Sequence, residues 1–215
     1  MWEFLQAGGP FMWVLLATSV VALAFIIERG IALRRSRLVP ASLEQAIDRC
    51  HGREDLTTLQ MACQQHPSTL ARLVMTAVEH LSGPKADNAD AVQTRARNEV
   101  QTLERGLVVL EIVVGIAPLL GLIGTIHGLV ILFGDLGRQG VTDNAAFARG
   151  ISIALNTTLM GLLVAVPTLV AWSYYTKKVE SSAVEMETIM SDFLRRLYRR
   201  KAKTGNEEPP AVETE

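Results

Sequence analysis

Three long apolar runs, almost free of charged side chains, are the feature that most constrains this chain. Residues 4–27 and 150–176 contain no acidic, basic or histidine side chain, and residues 106–134 contain only Glu111 and His127. A helix needs about 20 apolar residues to cross the roughly 30 Å hydrocarbon layer of a membrane. Backbone groups in lipid must be paired internally, and no run alternates at the period of two that a barrel strand requires. The sequence therefore predicts an all-α integral membrane protein with three transmembrane helices.

The placement of lysine and arginine predicts the orientation of these helices. Basic residues cluster after the first and third runs, namely Arg29, Arg34, Arg35 and Arg37, and then Lys177, Lys178, Arg195, Arg196, Arg199, Arg200 and Lys201. Cytoplasmic flanks of membrane spans are enriched in Lys and Arg, so the N-terminus is expected outside and the C-terminus inside. A cleaved signal peptide is the alternative for the first run. It would carry its positive charge before the apolar stretch, whereas here the charge follows it.

Local patterns divide the remaining chain into helical extensions. Three short helices, at 41–50, 56–65 and 68–81, are separated by Gly and Pro signals. The third span continues as a helix with an apolar stripe that needs a partner, formed by Val179, Met186, Met190, Phe193, Leu194 and Leu197. The predicted segments are a periplasmic stub (1–10), transmembrane helix 1 (11–35), a cytoplasmic helical insert (36–87), a long helix that includes transmembrane helix 2 (88–134), a periplasmic loop (135–143), transmembrane helix 3 with a cytoplasmic extension (144–203), and a Pro- and Glu-rich tail (204–215) that is expected to be disordered.

Two cysteines and two histidines in the cytoplasmic insert raise the question of a metal site. Cys50 and His51 are adjacent, and only Cys63 and His66 have a usual ligand spacing. Adjacent side chains fit one tetrahedral ion poorly, and cytoplasmic thiols are normally reduced. Buried thiols and loop histidines are therefore predicted, without a metal or a cofactor.

Spans two and three each have a distinctive face on a helical wheel. In span two, Glu111, Pro118 and Thr125 recur at seven-residue intervals, with Gly121 and Gly128 beside that face and His127 opposite. In span three, small and hydroxyl residues share one side, and leucine and valine fill the other. The small side holds Gly150, Ala154, Thr157, Thr158, Gly161, Ala165 and Thr168, and the branched side holds Leu155, Leu159, Leu162, Leu163, Val166 and Val170.

Each of these features has a packing interpretation and a functional one. Small residues allow close helix approach, and threonine can bond its own helix, so the faces can be packing surfaces. The same hydroxyls can instead line a polar cavity. Glu111 is costly within a span unless it faces the bundle interior or water, and the cytoplasmic end of span two could hydrate it. For His127, neutral packing is favoured over a proton relay.

Two stretches of sequence resemble the ExbB/TolQ/MotA proton-channel family, and most closely its ExbB and TolQ branch. Residues 117–128, APLLGLIGTIHG, resemble the family's second-span signature, and residues 150–167, GISIALNTTLMGLLVAVP, resemble its third-span signature. Leu103-Glu104-Arg105 before span two adds to the match. The resemblance covers most of the chain, and the spacing between the motifs agrees.

This resemblance implies a motor subunit of the bacterial inner membrane. Five copies would form a ring around the single spans of two ExbD-like subunits, and proton flow would energise a TonB-like effector and outer-membrane transport. A TolQ-like role in the Tol-Pal envelope system is the alternative. The family's titrating carboxylate lies on the ExbD-like partner, and hydroxyls of the ring line its path. These hydroxyls match Thr125 and Thr158, with Thr157 and Glu111 as further candidates.

One departure from the family pattern concerns span three. Ile153 stands where many ExbB and TolQ proteins have Glu, which removes a ring carboxylate, and His127 replaces the common aromatic residue after the Gly-Thr pair. The sequence also leaves open a non-conducting scaffold, with membrane lipids as further partners. A secondary transporter is disfavoured because the paired repeats are missing. An enzyme is disfavoured because no nucleophile accompanies a base, and nothing indicates a nucleic-acid partner.

Overall fold

The computed structural model describes residues 9–50, 52–139 and 144–204. Most of the predicted stub (1–8), His51, part of the predicted periplasmic loop (140–143) and nearly all of the predicted disordered tail (205–215) lie outside the described residues. All regular structure in the described part is helical. The helices are α1 (Gly9–Ala32), α2 (Arg35–Leu38), α3 (Ala41–Arg49), a 3₁₀ turn (Arg53–Asp55), α4 (Leu56–Gln65), α5 (Thr69–Glu79), α6 (Lys85–Glu104), α7 (Leu107–Gln139) and α8 (Asn144–Thr204).

Three of these helices are long and apolar enough to cross a membrane, as the sequence predicts. They are α1, the part of α7 over Leu107–Gly134, and α8 within Gly150–Arg199. Large leucine, isoleucine and valine side chains on all three are exposed in the single chain. A water-soluble protein of this size would bury such surfaces, so they require lipid or further protein.

The expected single helix from residue 88 into span two is interrupted at Arg105 and Gly106, where α6 ends and α7 begins. The guanidinium of Arg29 lies against Gly106, and a Cβ on this glycine would stand 2.2 Å from Arg29 Cζ. The Arg29 side chain is only 16% exposed and forms an ion pair with Glu28 at 2.7 Å. A glycine already weakens a helix by about 1 kcal/mol, and here its bare backbone also accommodates a large side chain from α1.

The described residues form two compact units. The apolar unit comprises residues 9–31 and 104–176, and the polar unit comprises residues 32–103 and 177–204, both with the gaps given above. In the polar unit, α5 begins at an N-cap in which Ser68 Oγ accepts the Ala71 amide at 3.1 Å. The stripe predicted for the extension of α8, from Val179 to Leu197, is buried at every position, which confirms that it needs a partner.

Buried polar side chains fix the helices of the polar unit to one another. Glu99 of α6 is 7% exposed and accepts two hydrogen bonds from Arg72 of α5, at 2.8 and 2.5 Å. Arg95 adds an ion pair to the same carboxylate at 3.0 Å. Asn88, fully buried, donates to the Ala77 carbonyl at 2.8 Å. These bonds hold α5 against α6.

Cys50 and Cys63 are both buried free thiols in the polar unit, as predicted. Burial raises the pKa of the Cys63 thiol to about 11, and burial also raises the pKa of Cys50. Both groups are therefore protonated and unreactive at neutral pH, because the thiolate is the reactive species.

The Arg72–Glu99 pair predicts a pH-dependent stability of the polar unit. Hydrogen bonding by Arg72 lowers the pKa of Glu99, so the ionised carboxylate stabilises the fold above its unfolded-state pKa. This stabilisation is lost as the pH falls through the lower, folded-state pKa. We expect Glu99→Gln to lower stability by about 1–2 kcal/mol at pH 7, the range for a charged hydrogen bond discounted for the exposure of the arginines.

Thermal unfolding in detergent, followed by circular dichroism at several pH values, measures this effect. The difference between wild type and Glu99→Gln should shrink towards zero in acid. Glu79→Gln, at an exposed carboxylate on α5, is the matched control and should unfold like wild type. A Glu99→Gln variant with wild-type stability at pH 7 would contradict the assigned role of the pair.

Candidate functional site

The small face and the branched face predicted for span three are both present in the structure of α8. The small face is turned towards α7, and Ala154, Thr157, Ala165 and Thr168 on it are buried. The leucine and valine residues of the branched face are all exposed, from 47% at Leu162 to 64% at Val170. The small face is therefore covered within the chain itself, by α7 and, at Ala165, by α1 as well.

The backbones of α7 and α8 approach closely at two glycines. A Cβ on Gly161 would stand 2.7 Å from the Ala117 carbonyl oxygen and 3.1 Å from Gly121 Cα. A Cβ on Gly121 would stand 3.0 Å from the Thr157 carbonyl oxygen. Real Cβ atoms essentially never lie as close to backbone as 2.7 Å, so Gly161 requires glycine at this helix separation, while a Cβ on Gly121 would make a tight contact that the neighbouring backbone has to relieve.

Other predicted small residues extend this contact along both helices. A Cβ on Gly128 would stand 3.3 Å from the Ala154 nitrogen, and one on Gly150 would stand 2.8 Å from Leu132 Cδ1. Ala165 belongs to a buried apolar cluster in which α1 also takes part, together with Ala22, Val113, Ala117 and Val164. All the predicted packing residues except Pro118 therefore lie in contacts between these helices.

Gly124 belongs to the same contact and was not singled out from the sequence. A Cβ there would stand 2.8 Å from Thr157 Cβ. Its spacing of three residues from Gly121, on the same helical face, is the signal that could have identified it.

Two threonines meet beside the close approach of α7 and α8. The hydroxyl of Thr125 contacts the hydroxyl of Thr158, and Thr125 Oγ1 also lies 2.9 Å from the Ala154 carbonyl and 3.1 Å from the Gly121 carbonyl. Thr158 Oγ1 lies 3.4 Å from the Gly121 carbonyl. Both threonines are half-buried, so the pair stands at an edge of the helix contact.

This arrangement leaves hydrogen-bonding capacity for a third group. Each hydroxyl has one proton and two lone pairs. If Thr158 donates to Thr125 and Thr125 donates to the Ala154 carbonyl, both lone pairs of the Thr158 oxygen remain available. If instead Thr125 donates to Thr158, the proton of the Thr158 hydroxyl can point at a third group. This exchange of donor and acceptor requires no movement of the helices. The pair can therefore accept from a protonated acid or donate to its carboxylate.

The structure places Thr157 differently from the expected pore-lining position. Thr157 has no exposed surface, and its hydroxyl donates to the Ala154 carbonyl of its own helix at 2.9 Å. It lies against Gly124, inside the helix contact. In this chain Thr157 packs α8 against α7. Of the two neighbouring threonines of α8, only Thr158 reaches the edge of the contact.

The remaining predicted residues of span two do not join the threonine pair. Glu111 is exposed on α7 and lies 14 residues from Thr125, about 21 Å along a helix. Pro118 lies between them, inside α7, and is half-buried. His127 forms an edge-to-face contact with Phe11 of α1, with ring centroids 5.4 Å apart. This contact supports packing as the role of His127, because it faces α1 while Thr125 faces α8.

Comparison with known proteins shows what this arrangement is similar to. A model of the MotA/TolQ/ExbB proton channel family matches residues 65–188, more than half of the chain. A biopolymer transport protein ExbB homolog of Methanothermobacter thermautotrophicus is 27% identical over 188 residues, 87% of this chain and 67% of that protein. The biopolymer transport protein ExbB of Helicobacter pylori is 38% identical over 76 residues, 35% of this chain and 52% of that protein. The Tol-Pal system protein TolQ of Haemophilus influenzae is 27% identical over 198 residues, 84% of this chain and 87% of that protein.

The glycine contact predicts a sharp difference between two otherwise similar substitutions. Gly161→Ala should destabilise the apolar unit by about 1–3 kcal/mol, because the new methyl group meets the backbone of α7. Gly115→Ala is the matched control, since a Cβ there meets no atom within 4 Å. It should leave stability unchanged or raise it slightly, because alanine favours the helix. Thermal unfolding in the same detergent measures both, and equal unfolding temperatures for the two variants would refute the close-contact assignment.

Proposed function

The chain belongs to the MotA/TolQ/ExbB proton channel family, and on that premise we propose that it is the ring-forming subunit of a proton-driven motor in the bacterial inner membrane. Five copies surround the single spans of two ExbD-like subunits. The N-terminus lies outside and the polar unit lies in the cytoplasm, in keeping with the basic residues that follow the first and third spans.

The observation that carries this proposal is the half-buried Thr125–Thr158 pair. A carboxylate in hydrocarbon is costly unless it is paired or hydrated, so a hydroxyl within reach lowers the cost of its charged form. The titrating carboxylate belongs to the ExbD-like partner, which faces the edge at which the two threonines meet. As this group gains and loses its proton, the hydroxyl pair alternates between accepting from the acid and donating to the carboxylate.

The chain's own sequence increases the importance of this pair. Ile153 is half-buried on α8 and supplies no carboxylate at the position where the resemblance to ExbB and TolQ proteins implies a glutamate. The two hydroxyls are therefore the polar side-chain groups that α7 and α8 offer at the edge of their contact. Thr157 contributes to the path only indirectly, by holding the two helices together.

We assign the motor to the energising of TonB-dependent outer-membrane transport, with a Tol-Pal role as the second candidate. Similarity to proteins named ExbB supports the first, and the broad match to a protein named TolQ supports the second. Which effector responds to the assembled complex, TonB-like or Tol-like, distinguishes the two.

Removal of the two hydroxyls tests the proton path. Thr125→Val and Thr158→Val keep the side-chain shape, so the complex with its ExbD-like partner should still assemble. Proton flux in liposomes should fall about tenfold or more in the double variant, the value of one lost hydrogen bond to a charged group. The flux should be more sensitive to Thr158→Val than to Thr125→Val.

Thr168→Val is the matched control for this experiment. Thr168 is buried in the same helix and donates to the Val164 carbonyl at 2.7 Å, away from the pair. It should retain wild-type flux. Wild-type flux in the Thr125→Val, Thr158→Val double variant would leave both residues as packing groups and favour a non-conducting scaffold.

We place Glu111 at the cytoplasmic mouth of the path, where its exposed carboxylate on α7 attracts protons or keeps the entrance hydrated. Glu111→Gln should reduce energised uptake while leaving assembly intact, because it removes the charge and keeps the size. Uptake in cells and oligomer size in detergent measure the two effects separately. Unchanged uptake would make Glu111 an interfacial residue without a role in transport.

A further inference from the structure

Two polar side chains lie on the outward face of α8, away from α7. Ser152 is exposed and Asn156 is half-buried, and Asn156 Nδ2 lies 3.4 Å from Ser152 Oγ. Within the described part of the chain, this long contact is the only hydrogen bond of the Asn156 amide. The remaining N–H and the carbonyl oxygen of the amide have no partner there.

The position of Asn156 makes such an amide costly. It lies six residues inside the apolar run that begins at Gly150, about 9 Å along the helix. Hydrocarbon offers no hydrogen bonds, so a polar side chain at this depth is stable only when protein or water covers it. The exposed side chains beside it, Leu159 and Leu163, are apolar and share its face. Serine and asparagine side chains within a membrane commonly form hydrogen bonds across a contact between two helices.

The same geometry separates this face from the proposed proton path. Successive residues of a helix are about 100° apart, so Asn156 and Thr158 point about 200° apart, to opposite sides of α8. A partner helix that faces the Thr158 edge therefore does not cover Asn156. A closed ring requires each subunit to contact its two neighbours through two different surfaces.

We propose that the face formed by Ser152, Asn156, Leu159 and Leu163 is the contact surface for the next copy of this chain, with the Asn156 amide hydrogen-bonded across that contact. The proposal rests on the proposed ring and identifies one of its two subunit surfaces. The occupant is a second copy and not the single-span partner, because the proposed function places that partner at the edge where Thr158 meets Thr125, on a different side of α8 from Asn156.

Photo-crosslinking from position 156 tests which molecule covers this face. Asn156→Cys is labelled with a benzophenone maleimide in the assembled complex, and wild-type protein serves as the control. Cys50 and Cys63 are buried and their thiol pKa values are raised, so they take up little label at neutral pH. Irradiation should give a covalent adduct of two copies of this chain. An adduct chiefly with the ExbD-like partner, or only with lipid, would overturn the proposal.

A second variant measures the contribution of the amide to assembly. Asn156→Leu should shift the complex towards smaller species in a detergent dilution series, with association weakened about three- to thirtyfold, as expected for one hydrogen bond between membrane helices. Thr18→Val is the matched control, because the Thr18 hydroxyl is already bonded to the Val14 carbonyl of its own helix at 2.8 Å. Association as strong in Asn156→Leu as in wild type would contradict the hydrogen bond.

The outcomes of the crosslinking and dilution experiments do not depend on whether the proposed proton path is correct. A two-copy adduct from position 156, combined with a complex that conducts no protons, keeps this interface and removes the proposed path. Proton flux combined with an adduct only to lipid keeps the proposed path and removes this interface.

Discussion

The backbone approach of α7 and α8 is the constraint on which the rest of the apolar unit depends. Gly121 and Gly161 face each other so closely that a methyl group on either would meet the backbone of the opposite helix. Lipid tails are as apolar as leucine side chains, so burial of leucine gives little net stabilisation between helices in a membrane. Close packing and interhelical hydrogen bonds supply it instead. The small residues therefore lie between the helices, and the branched residues lie on the outside.

The same approach creates the functional edge. Because the two backbones are close, hydroxyls on short side chains can reach across, and Thr125 bonds both to Thr158 and to the Ala154 carbonyl of the other helix. A wider separation would leave each threonine bonded only to its own helix. The polar unit is fixed by a different means, through the Glu99 carboxylate held by Arg72 and Arg95. Hydrogen bonding by Arg72 lowers the pKa of Glu99 and makes this site sensitive to pH, while the helix contact in the apolar unit involves neutral groups.

Much of this organisation could be predicted from the sequence because it follows from periodicity and composition. The three spans, the two faces of α8 and the buried stripe from Val179 to Leu197 all depend on which residues recur on one side of a helix. The interruption at Gly106 could not be predicted in this way, since it involves the Arg29 side chain, which is distant in sequence. Likewise, the wheel places Thr157 and Thr158 together on the small face. Only the position of α7 determines that Thr157 is enclosed and Thr158 stands at the edge.

The central claim is that protons pass along the water-accessible edge at Thr158. The difference in burial between Thr157 and Thr158 allows the most direct test of this claim. Thr158→Cys and Thr157→Cys are compared in the assembled complex by their rates of reaction with a charged, water-soluble thiol reagent. We expect Thr158→Cys to react and its modification to block proton flux, while Thr157→Cys remains unreactive because α7 covers it. Equal protection of both positions, or modification of Thr158→Cys without any effect on flux, would contradict a water-accessible proton path at this edge.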